Sequence, residues 1–209
     1  MTPLTPDGFA GLTGVSRETL ARLDAYAELL RRWAGRINLV SRNTLGDLWR
    51  RHFLDSAQLL PLIPNKMRHL VDLGSGAGFP GLVLAILGVP GVELVESDAR
   101  KCVFLREAAR IANAPVTILD SRIETVKAQT ADVVTARACA PLDKLLLLAE
   151  RFIGPNTVCL FLKGEHVEEE LTAARREWRM SAARHPSRAD PRGVVLKLEQ
   201  IAREPQGGG

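Results

Sequence analysis

The sequence predicts an α/β protein, built on a doubly wound, mostly parallel sheet of seven strands with an antiparallel edge strand and a helical N-terminal extension. Three observations carry this. From residue 70 onward, short apolar runs of strand length alternate with longer segments of helical period. A glycine-rich loop, Gly74-Ser-Gly-Ala-Gly78, directly follows the first of those runs and opens a helix. The last two strand-like segments are separated only by the turn-like HPSRADPRG, so they can form a hairpin at the sheet edge.

Taken in order, Ser16 is a helix N-cap. Apolar residues then recur three and four apart at Leu20, Leu23, Ala27, Leu30, Trp33 and Ile37, the spacing of an amphipathic helix. A second helical stretch covers Leu45 to Leu60, ended by Pro61 and Pro64. No strand is visible before residue 70. Strands follow at LVDL (70–73), GVELVE (91–96), VTIL (116–119), ADVVTAR (131–137), TVCLFLK (157–163), near 179–184 and at GVVLKLEQI (193–201). The helices between them are PGLVLAIL (80–87) closed by Gly88, 98–113 capped by Asp98, 141–152 with Pro141 at its first turn, and 166–178. Residues 1–69 thus form a basic helical extension packed on the core, 70–203 the α/β domain, and 204–209, with its QGGG, a flexible tail.

With 209 residues, 46% hydrophobic and 25% charged, the chain has the composition of an ordinary globular domain. The start, MTPLTPDGFAGLTG, lacks a signal peptide's basic and apolar regions, and no run reaches the length of a membrane span. Cys102, Cys139 and Cys159 are scattered without a C-x-x-C, which predicts reduced thiols, a cytoplasmic setting and no metal. Net charge is +4, and residues 1–69 carry all of it: 10 Lys/Arg against 6 Asp/Glu, with 18 of each in the rest. Arg31, Arg32 and Arg36, then Arg50 and Arg51, cluster there, and a second knot runs from Arg175 to Arg192. Such knots read equally as a solvated helical surface or a face for a polyanion.

The glycine loop allows two readings. Gly74, Gly76 and Gly78 spell G-x-G-x-G with Asp72 two residues ahead, a pattern suited to S-adenosylmethionine; Gly76, Gly78 and Gly81 spell the G-x-G-x-x-G of a dinucleotide site. Glu96, ending the second strand, can take ribose hydroxyls in either. Other features decide. The glycine closing the turn after the strand is Gly74, which belongs to the first set. Asp72 would repel a pyrophosphate but favours a sulfonium and an amino group. The chain's single tyrosine, Tyr26, lies in the N-terminal helix with no lysine four residues on, so the Tyr-x-x-x-Lys pair of short-chain dehydrogenases is missing. A hairpin-terminated sheet is likewise typical of methyltransferases and atypical of dinucleotide folds.

Later loops edge the same crevice. In DSRIE (120–124), Ile123 can pack on an adenine ring and Glu124, or the backbone, can accept from its amine; an ordinary amphipathic loop reads equally well. TARACAPL (135–142) faces the transferred methyl. It lacks the Asn/Asp-Pro-Pro-aromatic signature of exocyclic amino-methyltransferases, and Cys139 follows Ala138 rather than the proline expected of a C5-pyrimidine nucleophile, which favours packing over nucleophilic attack. Arg137 ends a buried strand and needs a carboxylate, a phosphate or a base edge; Lys163, before Gly164, is a second crevice cation.

LVDLGSGAGFPGLVLAI, LVESDARKCVFLREAAR, SRIE, ADVVTARACAPL and FLKGEHVEEEL together resemble the bacterial 16S rRNA guanine-N7 methyltransferase family, also called glucose-inhibited division protein B. RINLVSR and RHFLDSAQLL fit that family's helical N-terminus, so the likeness covers residues 20 to 200. It implies an S-adenosylmethionine site using Gly74, Phe79, Ile123, Glu124 and Arg137 with Glu96 near the ribose, and as substrate the guanine at position 527 of 16S rRNA. Ala136 and Cys139 depart from the Thr or Ser and the Phe that family members often carry there. Methylation at N7 uses a free lone pair and needs no general base, so catalysis would rest on alignment. Arg137 and Lys163 would orient the base or a phosphate, and Asp72, Gly76, Gly78 and Glu96 would hold the cofactor. Partners are 16S rRNA, naked or in the 30S subunit, with no membrane and no metal, the protein acting as a monomer. A small-molecule methyltransferase or a non-catalytic nucleotide-binding module are the alternatives.

Overall fold

A computed structural model describes residues 2–137 and 140–204, the side chain of residue 42 excepted. Cys139 and most of the expected tail fall outside the described residues. The central element is a seven-stranded sheet in the order β3-β2-β1-β4-β5-β7-β6. Its strands are β1 (Leu70–Leu73), β2 (Val92–Glu96), β3 (Val116–Asp120), β4 (Val133–Arg137), β5 (Val158–Lys163), β6 (Trp178–Pro186) and β7 (Val194–Arg203). The first five are mutually parallel, while β7 runs antiparallel to both β5 and the edge strand β6. The predicted hairpin ending is therefore present, with its antiparallel strand inserted one place in from the edge. All four residues of β1 are buried, as expected of a parallel strand covered on both faces.

Eight α-helical segments flank the sheet among the described residues: α1 (Pro6–Thr13), α2 (Arg17–Ala34), α3 (Arg42–Leu45), α4 (Asp55–Ala57), α5 (Gly81–Ile86), α6 (Ala99–Ile111), α7 (Leu142–Ala149) and α8 (Val167–Ala174). Two apolar clusters fill the layers. One joins α5, α6 and the sheet to the N-terminal helices through Phe9, Leu23, Tyr26, Leu30 and Phe53; the other packs α7 and α8 on the opposite face. Ser16 caps α2 by accepting from Thr19 N at 3.1 Å, and Arg31 and Arg32 occupy its last turn.

Three sequence expectations change. Helix α1 went unpredicted because Phe9 is its sole buried residue, too few for a period to show, although Thr5 caps it and Gly14 ends it at φ 71°. The single helix expected over 45–60 is divided: α3 ends at Gly46, a π-helical turn follows at Trp49–Leu54, then α4. The wide turn buries Trp49, His52, Phe53 and Leu54 together while leaving Arg51 and Asp55 on the edge of a cleft. The helix expected over 166–178 stops at Ala174. Val167, Leu171, Ala174 and Trp178 keep a helical spacing, but Trp178 is already the first residue of β6, reached through a turn closed by Glu177 N donating to Ala174 O.

The sheet order reverses between β1 and β4: from β1 the chain winds outward to β3, then returns to β4 on the other side. Ligands of such sheets bind at that switch point, beyond the strands' carboxyl ends. Both clefts described next lie there.

Candidate active site

Gly74, Gly76 and Gly78 take φ of 63°, 57° and 96°, a region closed to most side chains. A Cβ on Gly78 would in addition lie 2.9 Å from both Tyr26 Oη and Leu82 Cβ. Below the loop, Glu96 accepts from Gly76 N, Ser97 N and Asp98 N, each at 2.8 Å. A carboxylate offers about four acceptor sites, so Glu96 braces the loop and keeps a lone pair for a ribose hydroxyl. Gly74, Glu96, Ile123 and Glu124 all line one cleft of about 240 Å³. The structure thus brings together four residues that the sequence placed around an adenosine.

Asp72 is fully buried beneath this loop. Its Oδ1 accepts from Thr135 Oγ1 at 2.7 Å, across the β1–β4 pairing where the two residues stand in register, while its Oδ2 has no partner. Burial pushes its carboxyl up to about 6, against the pull of the Thr135 hydroxyl. The neutral form is thereby favoured in the fold. Stability from this group is complete below the ordinary carboxylate pKa and is lost as pH rises through about 6. Asp72→Asn is expected to remove that slope and to be more stable than the native protein at pH 7 by on the order of 3 kcal/mol. Urea midpoints of both proteins between pH 4 and 8 measure it; parallel curves would refute it.

Phe79, expected beside the cofactor, has its ring just 2% exposed in an aromatic cluster, leaving only its backbone on the loop. Tyr26 stacks on it at 5.5 Å, His52 lies 4.9 Å away, and Phe53 meets it edge-on at 5.5 Å. The Tyr26 hydroxyl donates to Ala77 O inside the glycine loop, so α2 is latched to the cofactor turn. Tyr26→Phe leaves that carbonyl unpartnered. It is expected to cost about 1–3 kcal/mol of stability and to weaken S-adenosylmethionine binding several-fold. Denaturant unfolding and calorimetric titration would show both, and unchanged affinity would mean that the latch is purely structural.

Over the top of Phe79 lies Arg137, its Cζ 4.7 Å from the ring centroid. The guanidinium pairs with Asp55 Oδ2 at 3.7 Å and donates to Arg51 O at 3.3 Å. Arg137, Lys163, Arg51, Asp55, Glu170 and Asp190 line a second cleft of about 450 Å³, walled by the β6–β7 turn. Lys163 corrects an expectation. It is not a free crevice cation, because its Nζ bonds Glu170 Oε2 and Ala140 O, both at 2.7 Å. The same Glu170 oxygen accepts from Leu142 N, so this pair ties Ala140 and the start of α7 to the end of β5.

Sequence reasoning missed Asp55, Tyr26, Thr135 and Glu170. Asp55 carried a readable signal, the one acid within the segment 52–60. His52, 6% exposed, is driven down to about 3 by burial and by Arg137 and Arg51, so it is neutral. S-adenosylmethionine, the group the sequence implies, fits this site through the left-handed glycine turn and the acceptor on Glu96; Asp72, expected to hold the cofactor, is instead fully buried and lines neither cleft, so it could act on a ligand through its charge alone. No cluster of three potential metal ligands occurs among the described residues, and none of their helices is long and apolar enough to cross a membrane.

Strand order, glycine turn and the acid after β2 are those of the class I methyltransferase fold. Two solved structures share it: a putative O-methyltransferase from Klebsiella pneumoniae (TM-score 0.61, 14% identity, 95% of this chain and 97% of that one), and a TehB-like SAM-dependent methyltransferase from Corynebacterium glutamicum (TM-score 0.57, 14% identity, 86% and 98%). The chain belongs to the rRNA small subunit methyltransferase G (GidB) family, whose model matches residues 19–190. Relatives named ribosomal RNA small subunit methyltransferase G include those of Paramagnetospirillum magneticum, 58% identical over 95% of this chain and 97% of its own, and Rhodospirillum centenum, 58% identical over 93% and 90%.

Proposed function

We propose that this protein transfers a methyl group from S-adenosylmethionine to N7 of a guanine in 16S rRNA, at position 527 as the family likeness implies. The observation that carries the reading is a pair of clefts at the carboxyl ends of the parallel strands. One, beyond β1 to β3, is lined by Gly74, Glu96, Ile123 and Glu124 and suits a nucleoside; the other, beyond β4 and β5, is lined by Arg137, is large enough for a base and carries three cation–carboxylate pairs.

Bound there, S-adenosylmethionine supplies an electrophilic methyl group on a sulfonium. Asp72, fully buried under the loop, would act on the cofactor's cationic groups through its charge, and a positive neighbour would draw it toward ionisation. Glu96 holds both the loop and the ribose. Arg137, fixed by Phe79, Asp55 and Arg51 O, keeps one orientation on the wall of the larger cleft, which is what alignment catalysis demands. It is better placed toward O6 or the cofactor than toward N7, where a cation would oppose the charge gained on methylation. N7 presents a lone pair without a proton, in agreement with a cleft that no described histidine lines, the nearby His52 being buried, neutral and packed on Phe79.

N7 lies in the major groove, too narrow for side chains in A-form RNA, so the guanine would be offered from a loop or unstacked. Exposed Arg17, Arg32 and Arg36 on the N-terminal helices, and Arg188 and Arg192 beside the cleft, would meet phosphates, giving salt-sensitive binding. Arg22, Arg31, Arg50 and Arg51 are partly spent on internal bonds, as are Arg188, which donates to Leu12 O, and Arg192, paired with Glu165 at 3.8 Å. Residues 1–40 also supply core side chains, so charge substitution and not truncation isolates this role.

The test incubates the protein with labelled S-adenosylmethionine and either naked 16S rRNA or 30S subunits lacking the modification. Label mapped to N7 of one guanine is the expected result; transfer without RNA, or binding without transfer, would overturn it.

A further inference from the structure

Three cation–carboxylate pairs line the acceptor cleft, and they are not equivalent. Arg51–Asp190 closes at 2.6 Å, and Asp190 Oδ1 also accepts from Arg192 N at 3.0 Å. Lys163–Glu170 closes at 2.7 Å, with the same oxygen accepting from Leu142 N. Arg137–Asp55 is open, at 3.7 Å, and Asp55 is the most buried of the three carboxylates, its side chain 17% exposed against 25% for both Asp190 and Glu170. Asp55 Oδ1 accepts from Gln58 Nε2 at 2.8 Å, which leaves Oδ2 with only the distant guanidinium. Burial holds this carboxyl above its ordinary range despite Arg137 and Arg51, the mark of an under-solvated acceptor. It sits on the cleft wall beside the residue that ends β4, next to the switch point.

A guanidinium beside a carboxylate offers donor, acceptor, acceptor in a row. Guanine's Watson–Crick edge offers the complement: O6 accepts, while N1–H and the 2-amino group donate. Adenine and cytosine present the reverse polarity at their amino and ring nitrogens, so the same pair would repel them. Reading this edge leaves N7, on the opposite side of the six-membered ring's O6, free for attack. Resting on the function proposed above, we infer that Asp55 is a specificity-determining residue which accepts from N1–H and the 2-amino group of the target guanine, with Arg137 donating to O6.

The pair also suits the reaction. The N7 lone pair forms the new N–C bond as the C–S bond breaks and its electrons stay on sulfur. The N1 proton remains in place, and the purine takes up the positive charge that sulfur loses. That charge spreads toward N1–H and the amino group, so their bonds to Asp55 strengthen in the transition state, where binding accelerates the step. Asp55 thus contributes to rate as well as to choice of base.

Inosine keeps N7, O6 and N1–H but lacks the 2-amino group. The experiment measures single-turnover transfer to unmodified 30S subunits carrying guanine or inosine at the target position, for the native protein, Asp55→Asn and Asp55→Glu, with S-adenosylmethionine affinity measured separately. The native protein is expected to lose about tenfold or more on inosine. Asp55→Asn should lose about a hundredfold on guanine, bind cofactor within twofold of the native protein, and treat the two bases alike, whereas Asp55→Glu should keep part of the discrimination. Equal native rates on guanine and inosine would overturn the assignment without recourse to any variant. A native-sized inosine penalty in Asp55→Asn would also overturn it, leaving Asp55 only to hold Arg137. Absence of transfer to either RNA by the native protein would overturn the proposed function, and this inference with it.

Discussion

Arg137→Ala is expected to slow methyl transfer by at least about a hundredfold, roughly 3 kcal/mol of transition-state stabilisation, while lowering folding stability by only about 1–2 kcal/mol. The two numbers differ for a physical reason. Breaking a buried ion pair is strongly destabilising when the orphaned charge has no escape, at about 3–5 kcal/mol. Here the partner, Asp55, retains some solvent and is already raised toward its neutral form by burial. Without Arg137 its neutral form is favoured further, which reduces the penalty. The function has no such escape, because the guanidinium's stacking on Phe79, its bond to Arg51 O and its pairing with Asp55 fix one cation on the wall of the acceptor cleft. Arg137→Lys keeps the charge but forfeits the planar stack and the forked donors, so an intermediate loss is expected. Single-turnover rates on unmodified 30S subunits, with urea unfolding beside them, separate the effects. Native rates in Arg137→Ala would remove this residue from the site.

Which of these residues the sequence could disclose follows from how far apart their partners lie along the chain. Gly74, Gly76, Gly78 and Glu96 were legible because a buried parallel strand is a short apolar run, and the residues that end such runs face the crevice by topology alone. Ile123 and Glu124 followed from the same rule applied to β3. Arg137 was legible as a charge ending a buried strand, but its partner Asp55 was not, since the two meet only after the π-helical turn wraps back over β4. Tyr26 read as one more apolar position on α2; nothing local says that its hydroxyl reaches Ala77. Lys163 was read with the right position and the wrong freedom, because Glu170 lies on the next helix and its reach back to β5 is a tertiary fact. Phe79 followed from the family likeness, yet the aromatic cluster that claims its ring is assembled from α2 and the turn after α3.

Gly81→Ala is expected to lower stability by about 1–3 kcal/mol and to weaken S-adenosylmethionine binding more than tenfold, although Gly81 was read as a misleading extra glycine of the loop motif. Gly81 entered the sequence reading only as the last glycine of the dinucleotide pattern that was set aside and as part of the stretch resembling the family, and its place in the fold explains why a single methyl should matter. A Cβ there would lie 2.5 Å from Leu94 Cδ2, 2.7 Å from Asp72 Cβ and 2.9 Å from Asp72 Cγ. Leu94 is fully buried on β2, and Asp72 is held on β1 by Thr135, so neither can yield without moving the strands that carry the loop. Alanine's better helix propensity returns at most about 1 kcal/mol, less than the overlap costs. Helix α5 must therefore lift, and with it Phe79, Gly78 and the latch from Tyr26. Gly11, in α1, has no atom within 4 Å of a built Cβ. Gly11→Ala is accordingly the control and should be neutral or stabilising by up to about 1 kcal/mol. Thermal unfolding and calorimetric titration of both variants decide the matter: native cofactor affinity in Gly81→Ala would show that the glycine turn does not depend on how closely α5 seats against β1 and β2.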